Sequence, residues 1–165
     1  MLDLRGGGCY PVRTMFTVRA AIATDIPDLA NLWHERTVLH VDRRTAPASN
    51  ARQTWADVAR TWLDDGRMGF FAAVRDDEVI GYIVGQLQPM PGMAPEQIGL
   101  IIDIALDAHG YHGGAGRELV SALTDWFSAH NADHMAVCTP HFDAVGQAFW
   151  RSLGASEWMD ILWIK

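Results

Sequence analysis

The chain has 165 residues, 49% of them hydrophobic and 20% charged, and carries a net charge of −7 at pH 7. This length predicts one domain with a substantial core, and the acidic balance argues against nucleic acid, which rewards a basic face through released counterions. No apolar run reaches the roughly 20 residues of a membrane-spanning helix, while two cysteines and seven scattered histidines offer neither a disulfide framework nor a metal-ligand spacing and suit a reducing cytoplasm.

In chain order, residues 1–14 are expected to be a loose leader. Gly6, Gly7, Gly8 and Pro11 punctuate them, and the long apolar stretch of a signal peptide is missing, so Met15 is a candidate start for a single domain over 15–165. A strand begins at Phe16. Asp25 as cap and Pro27 in the first turn then predict a first helix. A second begins at Asn50 or a near neighbour, with Trp55, Val58, Trp62 and Leu63 at helical spacing. Two strands follow. Residues 88–97, rich in proline and methionine, form the longest loop. A strand over 98–106 leads into a helix whose Leu119, Val120, Leu123, Trp126 and Phe127 form the stripe of a helix lying on a sheet. A strand containing Cys138, a fourth helix and a terminal strand complete the order. The terminal segment 157–165 is unusually aromatic and reads as buried edge or hairpin structure; the alternative is an apolar patch that pairs two protomers.

Residue types that suggest chemistry concentrate between 98 and 127. Gly113, Gly114 and Gly116 let the backbone turn tightly and approach a ligand. The helix that follows offers unpaired N–H groups and a positive dipole end, for which phosphate is the natural occupant; an ordinary glycine-rich turn is the alternative. A dinucleotide fingerprint does not fit, because Leu119 stands where its third glycine belongs, and neither does a Walker A loop, because Arg117 and Glu118 follow Gly116. The run Tyr111-His112-Gly113-Gly114-Ala115-Gly116 instead resembles the acetyl-CoA pyrophosphate loop of the GNAT N-acetyltransferases, Gln/Arg-x-x-Gly-x-Gly/Ala, with Tyr111 departing from the first position. The resemblance extends to the opening strand and helix from Phe16 to Leu29, the strand pair from Phe70 to Gly85, and the Phe149-Trp150-Arg151-Ser152-Leu153-Gly154 close of the fourth helix.

That resemblance implies an α/β (α+β) GNAT fold: a mixed, mostly antiparallel sheet of six to seven strands flanked by about four helices. It also implies transfer of an acetyl group from acetyl-CoA to a primary amine, of a small molecule or of a protein N-terminus or lysine, by direct attack; the other reading is a coenzyme A-binding protein without turnover. The loop residues Tyr111 to Gly116, with Arg117, would hold the pyrophosphate. Main-chain groups of Ile104, Ala105 and Leu106 would bond the pantetheine arm and the developing oxyanion near a bulge. Asp103 is the first candidate base, and simple alternation puts its side chain on the face of Ile101 and Ala105. His141, of a residue type that exchanges protons near neutral pH, is the second. Asp143 takes the place of a frequent family asparagine, the alternative being a plain helix cap. Trp150 takes that of the tyrosine that protonates the leaving thiolate, and an indole N–H donates a hydrogen bond but is no acid near neutrality. His34, His40, Asp42, Arg43 and Arg44 lie where the family builds its acceptor pocket. No metal is expected, and a homodimer is the alternative use of the aromatic terminal segment.

Overall fold

Alternating and periodic apolar runs build one open sheet with helices on both faces. The computed structural model describes residues 16–39, 46–108, 113–162 and 164. In chain order these form β1 (Thr17–Ala20), a 3-10 turn (Ala23–Asp25), α1 (Ile26–Leu39), α2 (Ala51–Asp64), β2 (Met68–Arg75), β3 (Glu78–Pro89), β4 (Gln97–Leu106), α3 (Ala115–Ala129), β5 (Met135–Val137) and α4 (Ala144–Ser152). The sheet order is β1-β2-β3-β4-β5. All neighbours are antiparallel except β4 and β5, which run parallel, because α3 is the crossover between them.

The strands alternate their side chains between two cores. On one face α1 and α2 cover Phe70, Ala72, Tyr82, Val84 and Ala105. This core is aromatic: Trp55 stacks on Trp33 at 5.9 Å and meets Tyr82 at 5.4 Å. On the other face α3 and α4 cover Ala73, Ile83, Leu87 and Ile101 with Leu119, Leu123, Phe127 and Trp150. Here Phe127 lies so close to the sheet that a Cβ on Gly99 would overlap its ring, and one on Gly85 would stand 2.6 Å from its Cζ. Bare backbone at those two positions lets α3 settle onto β3 and β4. The β2–β3 hairpin turns on Asp76 and Asp77, both at positive φ, the geometry that matches the strands' twist.

Several expectations need correction. Among the described residues the sheet has five strands rather than six to seven. No strand forms among the described residues after α4, and Trp158, Met159, Ile161, Leu162 and Ile164 are exposed; apolar composition favours burial only where a face remains to be covered, and both faces already carry helices. Cys138 lies just past β5 and is exposed. Asp25 does not cap α1 directly. Its carboxylate accepts the Ile22 N–H at 2.9 Å and two bonds from Arg19 at 2.7 and 2.9 Å, so it pins β1 to the helix entry. The loop between β3 and β4 shrinks to 90–96 and sits at the start of β4, the opposite end from the site described next. Residues 1–15 with Cys9, His40, Asp42, Arg43, Arg44, Tyr111, His112 and Trp163 lie outside the described residues.

Candidate active site

One extra residue in β4 shapes the site. Val84 pairs with Asp103 and Gly85 with Ile101, which leaves Ile102 as a β-bulge. The bulge inverts the alternation. Ile101, Ile104 and Leu106 face the α3–α4 core, whereas Ala105 joins the α1–α2 core and Asp103 meets Tyr82 on that same side. The expectation that Asp103 shares a face with Ile101 is overturned by this single insertion.

Beyond the bulge the strand loses a neighbour. β5 pairs only with Gly99, Leu100 and Ile101, so among the described residues the edge of β4 from 102 to 106 carries no strand on that side. The N–H of Asp107 donates to the carbonyl of Ile80 at 2.9 Å, which fixes the phase of the ladder. Bonded and non-bonded pairs alternate in antiparallel strands, so Asp103 and Ala105 turn their main-chain groups toward β3, and Ile104 and Leu106 turn theirs to the open edge. Ala105, expected to bond a donor's arm, therefore points its backbone the wrong way for that role.

The open edge is already engaged at Ile104. Its carbonyl accepts from Arg36 Nη1 at 2.6 Å, and its N–H donates to Asp103 Oδ1 at 2.9 Å. Arg36 Nη2 stands 2.7 Å from the same Oδ1, and the Tyr82 hydroxyl donates to Oδ2 at 2.6 Å. Burial pushes the Asp103 carboxyl above the usual carboxylate range, and the Arg36 guanidinium, the Tyr82 hydroxyl and the Ile104 N–H pull the other way. Desolvation beside this anion also raises the Tyr82 hydroxyl well above its ordinary value. With three donors on it and a side chain 9% exposed, Asp103 has little freedom to take a proton from an incoming amine.

At the other end of the open edge α3 begins. Gly114, at φ 100°, caps it in the left-handed region with no side-chain cap bond, and Gly113 is also at positive φ. Both are exposed, and a Cβ on Gly114 would meet nothing within 4 Å. The first-turn N–H groups at Ala115 and Gly116 are those that helix geometry leaves without an intrahelical acceptor. Gly116 packs closely: its Cβ position is 3.3 Å from Leu106 and 3.4 Å from Phe149. The helix start thus abuts both the end of β4 and α4. Arg117 is exposed and donates to Ser152 Oγ at 2.9 Å.

Asp143 caps α4, Oδ1 accepting the Gly146 N–H at 2.9 Å. Trp150 is core, 7% exposed and 5.0 Å from the Phe149 ring. His141 is exposed in the segment after β5, where its carbonyl accepts from Gln147 Nε2. The structure does not bring it into hydrogen-bond contact with Asp103. His34 lies on α1 with Nδ1 buried and without a hydrogen-bond partner. Arg36 escaped the sequence reading, although its spacing from Leu29 and Trp33 puts a charge on the buried stripe of α1, and that was its signal. Among the described residues no three His, Cys, Asp or Glu side chains gather as a metal site, and no helix is long and apolar enough to cross a membrane.

The profile of the acetyltransferase (GNAT) family matches residues 29–155. No curated protein matches the chain. Among solved structures, it is similar to the aminoglycoside N-acetyltransferase AAC(6')-Iy in complex with CoA, at 17% identity and TM-score 0.72 over 99% of this chain and 98% of that one. A predicted acetyltransferase with acetyl-CoA from Clostridium acetobutylicum gives 13% identity and TM-score 0.75 over 92% and 96%. A ribosomal-protein-alanine N-acetyltransferase from Brucella melitensis biovar Abortus 2308 gives 14% and 0.72 over 91% and 99%.

Proposed function

The chain belongs to the acetyltransferase (GNAT) family, and from that premise we propose that it moves an acetyl group from acetyl-CoA to a primary amine by direct attack. One observation carries this reading: the open edge of β4 runs straight into the glycine-capped start of α3. An extended arm bearing amides fits beside an unpaired strand edge, and a pyrophosphate fits a helix N-terminus. Two of the solved neighbours bear CoA or acetyl-CoA, which supports the choice of donor.

The acceptor nitrogen attacks the thioester carbonyl, its lone pair forming the C–N bond as the C–S bond breaks. The nitrogen must lose a proton. A lysine-like amine with pKa ~10.4 pays about 4.6 kcal/mol to be neutral at pH 7, so a base speeds the step. We assign that role to His141, exposed where β5 leaves β4, in preference to the encumbered Asp103. Trp150 is buried and cannot act as an acid. The leaving thiolate, from a thiol of pKa near 8.5, departs without proton donation. The acceptor is a small-molecule amine, or a protein N-terminus or lysine. His34 stands on the helix that borders the site.

Calorimetry with CoA and acetyl-CoA, followed by assay of free CoA release over an amine panel, tests this reading. Binding with release confirms the transferase. Binding without release across the panel favours a coenzyme-sensing protein, the reading to which Trp150 in place of an acidic hydroxyl lends support. No binding to either form sinks both. Exposed Trp158, Met159, Ile161, Leu162 and Ile164 support a homodimer, which a monomeric sedimentation profile at micromolar concentration would remove. The free thiol of Cys138 is compatible with a cytoplasmic setting.

A further inference from the structure

We propose that Arg36 is a positioning residue for the transfer step, holding the Ile104 peptide of β4 in a fixed orientation at the acyl end of the open edge. The inference rests on the transferase reading above. It is carried by a closed loop of hydrogen bonds: Arg36 Nη1 to the Ile104 carbonyl, Ile104 N–H to Asp103 Oδ1, and Arg36 Nη2 back to that oxygen. One guanidinium therefore grips both the Ile104 carbonyl and the carboxylate that accepts the same residue's N–H. Only a planar fork with several donors does this; an ammonium is a single point.

The loop is anchored from below. Tyr82 is fully buried in the aromatic core against Trp55, and its hydroxyl fixes the second oxygen of Asp103. It is anchored from the side by α1, whose Leu29 is fully buried and whose Trp33 stacks on Trp55. Arg36 itself is 42% exposed, so its outer surface faces solvent.

Two consequences follow for the site. Because both main-chain groups of Ile104 are taken by the chain's own side chains, a strand-like arm lying on this edge finds its main-chain partners at Leu106. The Arg36–Asp103 pair then terminates the track, and the reacting carbonyl is held at a boundary whose dipoles cannot reorient freely. Preorganised dipoles of this kind contribute to the rate rather than to coenzyme affinity. Asp103 acts through Arg36 and Ile104, not as the group that removes the proton.

The test compares full-length Arg36→Gln, Arg36→Lys and wild type by three measurements. Calorimetry with CoA should give affinities within about threefold of each other, since the helix start at Gly114 is untouched. Free CoA release should show kcat lowered about thirtyfold in Arg36→Gln with KM for acetyl-CoA little changed, and partial recovery in Arg36→Lys. In amide spectra of the uncomplexed protein, the Ile104 N–H resonance should shift in Arg36→Gln and in Asp103→Asn. Wild-type kcat in Arg36→Gln, or an unmoved Ile104 resonance, overturns the positioning role while leaving the transferase reading intact. Parallel loss of CoA affinity, kcat and thermal midpoint overturns it too, because that is the signature of a brace for the fold. Failure of the wild type itself to bind CoA strikes the transferase reading instead, and the Ile104 resonance still decides whether Arg36 orders the peptide.

Discussion

Two arginine–aspartate pairs in this chain look alike and behave in opposite ways. Arg19–Asp25 and Arg36–Asp103 both close at 2.7 Å, both pair a buried carboxylate with a part-exposed guanidinium, and both tie a strand to α1 or its entry. Yet the bonds from Arg19 hold the Asp25 carboxyl below its ordinary range, while burial lifts that of Asp103 above it. At Asp25, two bonds from Arg19 and one from the Ile22 N–H outweigh desolvation, so the pair stabilises the fold. At Asp103 desolvation outweighs the three bonds it accepts, so burial of this carboxyl costs the fold part of what its contacts return. A group retained against the preference of the fold marks a place where function is a sound hypothesis.

The sharpest separation of the two pairs is kinetic. Arg36→Gln should lower kcat about thirtyfold, equivalent to about 2 kcal/mol of barrier, whereas Arg19→Gln should leave kcat within about twofold of wild type in the same free-CoA assay. Equal losses would erase the distinction. A change that touches neither pair provides the control: Gly114→Val forces a β-branched residue to φ 100°, and should weaken CoA binding about tenfold in calorimetry, about 1.4 kcal/mol.

The pairs also differ in the sign of their pH dependence. Asp25 has a depressed folded value, so its contribution is present above the unfolded value near 3.9 and disappears as pH falls through the lower, folded one. Asp103 has a raised folded value, so its contribution is complete below about 3.9 and disappears as pH rises through the folded one. Urea midpoints across pH 2–8 should therefore show that Asp25→Asn is less sensitive to acid than wild type, at a cost of about 1 kcal/mol near neutrality once screening at part-exposed Arg19 is allowed for. Asp103→Asn should instead remove a decline in stability above pH 4. The smallest effect belongs to an ion pair with no burial behind it. Asp57, 2.7 Å from Arg60 with both side chains at least half exposed, should tolerate alanine with a change below about 0.5 kcal/mol.

Much of the scaffold was legible because its signals are local. The spacing of Trp55, Val58 and Trp62 set α2, the stripe from Leu119 to Phe127 set α3, Asp143 capped α4 as its residue type suggests, and Gly114 marked where α3 begins. What escaped reading depends on registers and distances that one-dimensional patterns do not contain. The bulge at Ile102 is invisible in a run of apolar letters, and it alone reversed the face of Asp103. Arg36 and Ile104 are 68 residues apart; a charge on the α1 stripe was readable, its partner was not. The terminal segment erred in the other direction, since Trp158 and Ile161 look like strand residues but among the described residues pair with no strand and stay exposed.

The three-residue pairing of β5 has a consequence for how the molecule assembles. β2, β3 and β4 connect through short turns and can zip together as soon as each is made, whereas β5 waits for α3 to form and dock, since parallel neighbours require a crossover. By this argument β5, held by three pairs alone, is the last of the five described strands to join the sheet and should be the first of them to loosen. Amide exchange at Met135–Val137 should outpace that at the centre of β3, and a molecule wedged into the notch would slow it.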